Sequence, residues 1–363
     1  MIQDFDLRRL VEPAVTWYDS HQRKLPWRED RDPYHIWVSE IMLQQTRVEA
    51  VIPYYRRFME QLPDIAALAS CQEDPLLKLW EGLGYYNRVR NMQKAAQMIQ
   101  EQYEGKMPSS YEQILTLPGI GPYTAGAIAS IAFDERVPAV DGNVLRILSR
   151  VTEDDSDIAK DATKKMVTEA LRTVMPREAG LFNQALMEIG ALVCIPNGQP
   201  KCSECPWQSL CRGYANGSYD RLPVKTKAKA RRIEKKTVLV IRDGEKVLLR
   251  KRPPKGLLAG LYEFPNLEGH LTQEEAVRFA EYQNLMPLQV QCLPEAKHIF
   301  SHIEWQMTGY MIRVADVDSF AVSESASREG GYLLVPLEQT RREYAVPAAF
   351  DAYAKCIRLR EES

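Results

Sequence analysis

No run of eighteen apolar residues occurs in this chain of 363, and no basic-plus-apolar leader opens it, so neither a membrane span nor secretion is expected. An excess of charge of one sign is missing too. The net charge of −2 argues against a polycation that coats nucleic acid indiscriminately. Strand-like alternation of apolar and polar residues is missing at any length before Lys236. What remains is an ordinary globular composition, 45% hydrophobic and 26% charged, in a chain long enough for two or three domains. The expected compartment is a bacterial-type or organellar cytosol.

The pattern that is present is mainly helical. Residues 5–18 are amphipathic, 34–58 carry a long apolar period broken at Pro53, and 86–103, 161–174 and 179–193 read as further helices. A change follows at 221–236, where Arg221, Lys225, Lys227, Lys229, Arg231, Arg232, Lys235 and Lys236 stand against Glu234 alone. With Pro223 and no apolar period, this run reads as a solvated basic linker. Beyond it, 237–241 and 246–250 are β-rich and joined by Asp243-Gly244, a hairpin signal. Strands at 289–293, 304–314 and 331–335 and a helix at 273–282 complete a separate α+β domain.

The densest motif lies at 117–143: L-P-G-I-G-P-Y-T-A-G, an apolar run, then V-P-A-V-D-G-N. Pro118, Gly119, Gly121 and Pro122 crowd a turn, so glycine amides can point outward and the next helix exposes its positive end. Such a turn suits a phosphate oxygen. Gln113, Ile114 and Leu117 lead in on a helical period, and small apolar residues from Thr124 to Ala129 lead out. This is a helix-hairpin-helix pattern, which grips a nucleic-acid backbone.

Two carboxylates stand in contrasting surroundings. Glu40, within Y-H-I-W-V-S-E-I-M-L-Q-Q-T at 34–46, shares an apolar helix face with Ile36 and Leu43, and burial there raises a glutamate toward the range of a general acid. Asp141 precedes N-V-L-R-I-L at 143–148 and is placed as a helix N-cap, where amides and dipole favour the ionised form. A protonated acid and a charged carboxylate divide the labour of glycosidic cleavage through an oxocarbenium-like transition state.

Four of the seven cysteines, Cys194, Cys202, Cys205 and Cys211, fall together, leaving Cys71, Cys292 and Cys356 isolated. A compact set containing C-x2-C reads as a metal or iron-sulfur site rather than as disulfides. Spacing alone does not choose between zinc and a 4Fe-4S cube.

These motifs resemble the adenine DNA glycosylases of the MutY type. The resemblance is carried by the hairpin with V-D-G-N, by S-E-I-M-L-Q-Q-T, by G-L-G-Y-Y-N-R-V-R-N at 82–91 and by the four-cysteine tail, and it covers nearly the whole chain. It implies a multidomain protein: an all-α helix-hairpin-helix glycosylase region over 1–220, the basic linker at 221–236, and a C-terminal α+β Nudix-like domain over 237–363. The helical region divides into a six-helix subdomain at 25–133 and a cluster subdomain from 1–24 with 134–220. The implied partner is double-stranded DNA with an 8-oxoguanine:adenine mispair, met by a cytoplasmic, nucleoid-associated monomer.

The resemblance also assigns roles. Glu40 protonates N7 of a flipped-out adenine, Asp141 stabilises the sugar cation, and Tyr123 and Asn143 support that centre. Arg23, Trp27, Arg28 and Gln184 line the adenine pocket, and Gly119 and Gly121 hold the DNA backbone. Gln45, Thr46, Tyr85, Phe300, Ser301 and His302 recognise 8-oxoguanine. Tyr123 stands where the related endonuclease III family has its Schiff-base lysine, which implies a monofunctional glycosylase that leaves an abasic site. A bifunctional endonuclease III-like glycosylase/lyase is the alternative. The cysteines are expected to hold a 4Fe-4S cluster, with zinc as the alternative, and the hairpin a monovalent cation.

The chain departs from the pattern in two places. After G-L-L-A-G-L-Y-E-F-P at 256–265 it lacks the R-E-x-x-E-E cluster of a Nudix hydrolase, so lesion reading rather than pyrophosphate hydrolysis is expected there. Seven residues separate Cys194 from Cys202, one more than the family spacing, in a loop with Gly198 and two prolines that has room for it.

Overall fold

The computed structural model describes residues 2–226, 230–315 and 331–359; Lys227 and Lys229 of the basic run lie outside them. The chain forms two compact units, Met1–Cys71 with Arg90–Lys227, and Gln72–Val89 with Ala228–Ser363.

The first unit is helical: α1 (Val11–His21), α2 (Pro33–Leu43), α3 (Val48–Gln61) and α4 (Ile65–Ser70) come first. After α5 (Glu73–Leu79), which belongs to the second unit, follow α6 (Asn87–Gln102), α7 (Tyr111–Leu115), α8 (Pro122–Phe133), α9 (Gly142–Thr152), α10 (Asp161–Arg172), α11 (Ala179–Leu192) and α12 (Arg212–Ala215). Of these, α2, α4, α7 and α9 start on short polar side chains. Asp32 accepts from the Tyr34 amide ahead of Pro33 at the head of α2, and Ser110 accepts from Gln113 to start α7.

The break expected at Pro53 does not occur. The chain breaks at 44–47, where Gln45 is left-handed (φ 61), and Pro53 lies inside α3. Pro53 sits in the second turn, where it gives up the backbone bond to the Glu49 carbonyl, and the helix runs on through it.

α11 packs on α1, α8 and α9. Tyr18, Ile147, Leu148, Phe182, Leu186, Ile189 and Trp207 are buried in one cluster there, each such side chain contributing about 1.5–3 kcal/mol on burial. This packing brings α2, the N-terminus of α8, the N-terminus of α9 and one face of α11 around a common cavity.

The second unit is built on a mixed sheet of β1 (Arg232–Asp243), β2 (Lys246–Lys251), β3 (Tyr262–Glu263), β4 (Asn266–Glu268), β5 (Pro287–Ile299), β6 (Ile303–Val314) and β7 (Tyr332–Pro336). Its order is β3-β2-β1-β6-β5, with β4 on β1 and β7 on β2. β1 and β6 run parallel, and the other pairs are antiparallel. Gly244 (φ 56) turns the hairpin between β1 and β2.

β1 begins at Arg232, so Arg232–Lys236, expected in the linker, are strand and pair with Ile303–Met307. Their polar side chains are mostly outside the core, so the main-chain ladder rather than a buried face holds them.

Alternate residues of β1 then bury opposite faces. Val238 and Val240 join Trp305, Phe350 and Tyr353 on one side. Leu239 and Ile241 join Ala276 and Ala280 of α13 (Gln273–Tyr282) on the other. α14 (Leu337–Glu343) and α15 (Asp351–Cys356) complete this unit. No helix among the described residues is long and apolar enough to cross a membrane.

Candidate active site

One cavity of about 530 Å³ in the first unit is lined by Glu40, Tyr123, Asp141 and Asn143 together with Arg23, Trp27, Arg28, Gln184 and Thr46. These residues come from the α1–α2 and α2–α3 connections, α2, α8, the N-cap and first turn of α9, and α11, segments far apart in sequence.

Glu40, in the last turns of α2, is 7% exposed. Burial pushes its carboxyl up to about 7; the Tyr123 hydroxyl opposes this and the nearby Asp141 charge reinforces it. Tyr123, in the first turn of α8, donates its hydroxyl to Glu40 Oε2 at 2.7 Å. Burial and the two carboxylates push Tyr123 well above the ordinary phenol range, so it stays a donor.

Asp141 caps α9. Its Oδ1 accepts from the amides of Asn143 and Val144, both at 2.8 Å, and Oδ2 accepts from Asn143 Nδ2 at 2.7 Å. The cap geometry is the expected one, but the expected charge balance is not: burial outweighs these bonds and raises the carboxyl above its ordinary value. N-cap amides lower an aspartate on a helix surface; here the cavity encloses it as well.

Asn143 Oδ1 accepts from Arg146 Nη2 at 2.9 Å, and Arg146 Nε donates to the Cys194 carbonyl at 3.0 Å. Asp141 is therefore held by a chain of hydrogen bonds that ends at the first cysteine of the tail.

The opposite wall is organised by Glu188. Its Oε1 accepts from Arg23 Nε at 2.8 Å, and its Oε2 from Arg23 Nη2 at 3.0 Å and Arg28 Nη2 at 2.9 Å. Although burial works against it, these bonds hold the Glu188 carboxyl down to about 2. Gln184 is engaged at both ends of its amide: Oε1 accepts from Tyr18 at 3.0 Å, and Nε2 donates to the Gly180 carbonyl at 3.3 Å.

Gly119 and Gly121 differ in why they are glycine. Gly119 is left-handed (φ 77), and a Cβ there would lie 2.5 Å from Asn91 Cβ, so the turn itself demands it. Gly121 is the N-cap of α8 at φ −97, and a Cβ would meet nothing within 4 Å. The open space over it leaves room for a group from outside the chain.

In the second unit, residues 300–302 form the turn between β5 and β6. Phe300 packs edge-on against His298 and Trp305, and Ser301 and His302 are exposed. The Tyr85 hydroxyl stands 3.4 Å from Ser301 Oγ. Tyr85 and Ser301 are thus brought together, while Gln45 and Thr46 belong to the first unit.

Cys194, Cys202, Cys205 and Cys211 line a single cavity with Arg150, whose Nη1 lies 3.4 Å from Cys194 Sγ. Gly198 (φ 79) and a bond from the Lys201 amide to the Val193 carbonyl close the longer loop without displacing Cys202 from that cavity. Burial pushes the Cys205 thiol up to about 12 and also raises Cys202 and Cys211. Four thiols around one cavity are the donor set that either a zinc ion or a 4Fe-4S cluster takes once they lose their protons. Among the described residues no three His, Cys, Asp or Glu are arranged to hold a metal ion, so this geometry favours neither zinc nor a 4Fe-4S cluster.

The HhH-GPD superfamily of base excision DNA repair proteins matches residues 38–177, and the NUDIX domain family matches 237–355. The adenine DNA glycosylase of Mus musculus is 39% identical over 362 residues, covering 82% of this chain and 69% of that protein. That of Buchnera aphidicola (strain Bp) is 35% identical over 315 residues, covering 85% and 88%.

The chain belongs to the adenine DNA glycosylase family.

Solved structures agree on the helical fold. A thermostable thymine-DNA glycosylase is similar with TM-score 0.52 and 28% identity, covering 58% of this chain and 97% of that one. A trapped endonuclease III–DNA covalent intermediate is similar at TM-score 0.50 and 23% identity, over 60% and 98%. As an adenine glycosylase of the base excision repair superfamily, the enzyme cleaves an N-glycosidic bond.

Two residues central to this glycosylase site escaped sequence reasoning. Glu188 looks like an ordinary polar position in 179–193, and only its burial shows that it ties Arg23 to Arg28. Arg146 sits inside an apolar period; an arginine three residues after Asn143 on one helix face was the available signal.

Proposed function

We propose that this adenine glycosylase is monofunctional and removes adenine paired with 8-oxoguanine or guanine, leaving an abasic site. The reading is carried by one observation: an enclosed Glu40 raised to about 7 shares its cavity with a backbone-anchored Asp141. Near neutrality such a glutamate carries a proton to deliver, as protonation of adenine N7 requires. Tyr123 orients that proton through its bond to Glu40 Oε2. As the glycosidic bond lengthens, Asp141, oriented by Asn143, faces the developing sugar cation and guides water to it.

Extruding the base costs a few kcal/mol of stacking and pairing, which pocket contacts must offset. Trp27 supplies a ring face there, and Arg23 and Arg28 supply donors already aimed by Glu188. Gln184 offers the amide edge that Tyr18 orients. Gly119 and Gly121 hold the strand at the hairpin, where backbone carbonyls would also take a monovalent cation. Gln45, Thr46 and Tyr85, with Phe300, Ser301 and His302, read the opposing 8-oxoguanine.

Cys194, Cys202, Cys205 and Cys211 would hold a 4Fe-4S cluster, which cross-links the tail when bound. The lyase alternative lacks its amine, because Tyr123 occupies that position with its hydroxyl on Glu40. The test is single-turnover adenine release from 8-oxoguanine:adenine and guanine:adenine duplexes, with borohydride added in parallel. Release from both without a trapped adduct is expected; a trapped protein–DNA adduct overturns the monofunctional reading.

A further inference from the structure

We propose that Asp74 is a positioning residue for lesion reading: its ion pair with Lys251 holds residues 72–89 on the sheet, so that Tyr85 stands beside Ser301. This rests on the proposed reading of 8-oxoguanine.

Asp74 and Lys251 lie 177 residues apart, yet Lys251 Nζ reaches both Asp74 oxygens at 2.7 and 2.9 Å. The Tyr262 hydroxyl donates to Asp74 Oδ2 at 3.0 Å. A half-exposed ion pair by itself contributes little. Here, however, the carboxylate takes three bonds from β2 and β3, and the end of the short helix α5 and the residues just after it are tied down again. Lys78 Nζ donates to the Tyr344 carbonyl at 3.0 Å, and Glu81 Oε1 accepts from the Val346 amide at 2.7 Å.

The segment between these ties and Tyr85 is stiff. Trp80 is fully buried and donates to the Gly84 carbonyl at 3.0 Å. Gly84 (φ 68) and Tyr85 (φ 47) are both left-handed, a conformation a tyrosine keeps only when its surroundings hold it. Tyr85 is nonetheless 50% exposed, with the Arg88 guanidinium 5.7 Å from its ring centre and Ser301 Oγ 3.4 Å from its hydroxyl. An aromatic kept open to solvent and set by ties to β2 and β3 moves with the loop at 300–302. Residues 72–89 and that loop then meet the duplex as one reading surface.

The experiment uses the full chain and compares wild type, Asp74→Lys, Lys251→Asp and the double charge reversal. Single-turnover rates are measured on 8-oxoguanine:adenine and guanine:adenine duplexes. Each single reversal is expected to lower the ratio of the two rates about tenfold, with the guanine:adenine rate within about twofold of wild type, and the double to recover the ratio to within about threefold. A purely structural contact would lower both rates together and leave the ratio unchanged. Hydrogen exchange across 72–89 is expected to speed up in the singles while β1 and β6 stay protected. If a reversal does not fold, Asp74→Asn carries the test, with a loss of about threefold in the ratio. Singles that keep the wild-type ratio, or a double as low as the singles, overturn the proposal. A wild type indifferent to the opposing base overturns the lesion reading itself, and this proposal with it.

Discussion

Glu40 of the helical unit and Glu263 of the sheet unit are both buried, and their surroundings treat them in opposite ways. Glu263, fully buried in β3, is bound by Arg250 and Arg252 and takes a further bond from Asn266 Nδ2 at 2.8 Å. Glu40, nearly as enclosed, has a tyrosine hydroxyl and a second carboxylate for neighbours, and its proton affinity rises. A buried carboxylate surrounded by cations is structure, whereas one kept from them becomes a proton donor. Glu188, buried in the helical unit, follows the pattern of Glu263 through Arg23 and Arg28, so the contrast sets Glu40 apart rather than one half of the chain.

The comparison breaks most severely at Glu40 itself. Glu40→Gln is expected to slow adenine release by about 10²–10⁴-fold, read by single-turnover assay on an 8-oxoguanine:adenine duplex. Release at the wild-type rate would remove Glu40 from the mechanism. Glu263→Ala should instead cost about 1–3 kcal/mol of stability by leaving the partly buried Arg250 and Arg252 without their carboxylate, measured by denaturant unfolding.

Titration sharpens the same contrast within the cavity. Glu40 has a raised folded pKa, so its stability contribution is fully present below its ordinary 4.5 and is lost as pH rises through about 7. Glu188 has a depressed one, so its contribution is present above 4.5 and is lost as pH falls through about 2. Each is on the order of 3 kcal/mol. Glu40→Gln should therefore raise the melting temperature at pH 8 and not at pH 4, and an equal change at both would refute the assignment. Adenine release should also fall about tenfold per pH unit above 7. The smallest effect belongs to Tyr123→Phe. Its hydroxyl lowers the Glu40 pKa, so its removal should move that alkaline limb upward by on the order of half a unit to one unit.

Much of the fold was legible because periodicity reports burial. The helix at 273–282 was read with the bounds it has, and the hairpin at Asp243-Gly244 follows from turn chemistry. The strand start at Arg232 was not legible, because Arg232–Lys236 pair through the main chain, to which a side-chain pattern is blind. Pro53 misled for a related reason: what a proline does depends on where the helix begins, and the break at 44–47 lies in the left-handed Gln45. In the site, Glu40, Tyr123, Asp141 and Asn143 were all named from motifs. Glu188, with no motif of its own, was not.

The sequence by itself determined the residue types and their local settings: a glutamate on an apolar helix face, an aspartate at a helix N-cap, a glycine-rich hairpin with tyrosine in place of lysine, four clustered cysteines. These are properties of neighbours within a few positions, which secondary structure turns into faces and ends. Only the tertiary structure decided what each face meets. It set Tyr123 on Glu40 across 83 positions and Arg23 on Glu188 across 165. It also enclosed Asp141 until burial outweighed its cap. Proton affinity depends on solvent exclusion and on charges within a few ångströms, and distances of that kind are fixed by packing rather than by order along the chain.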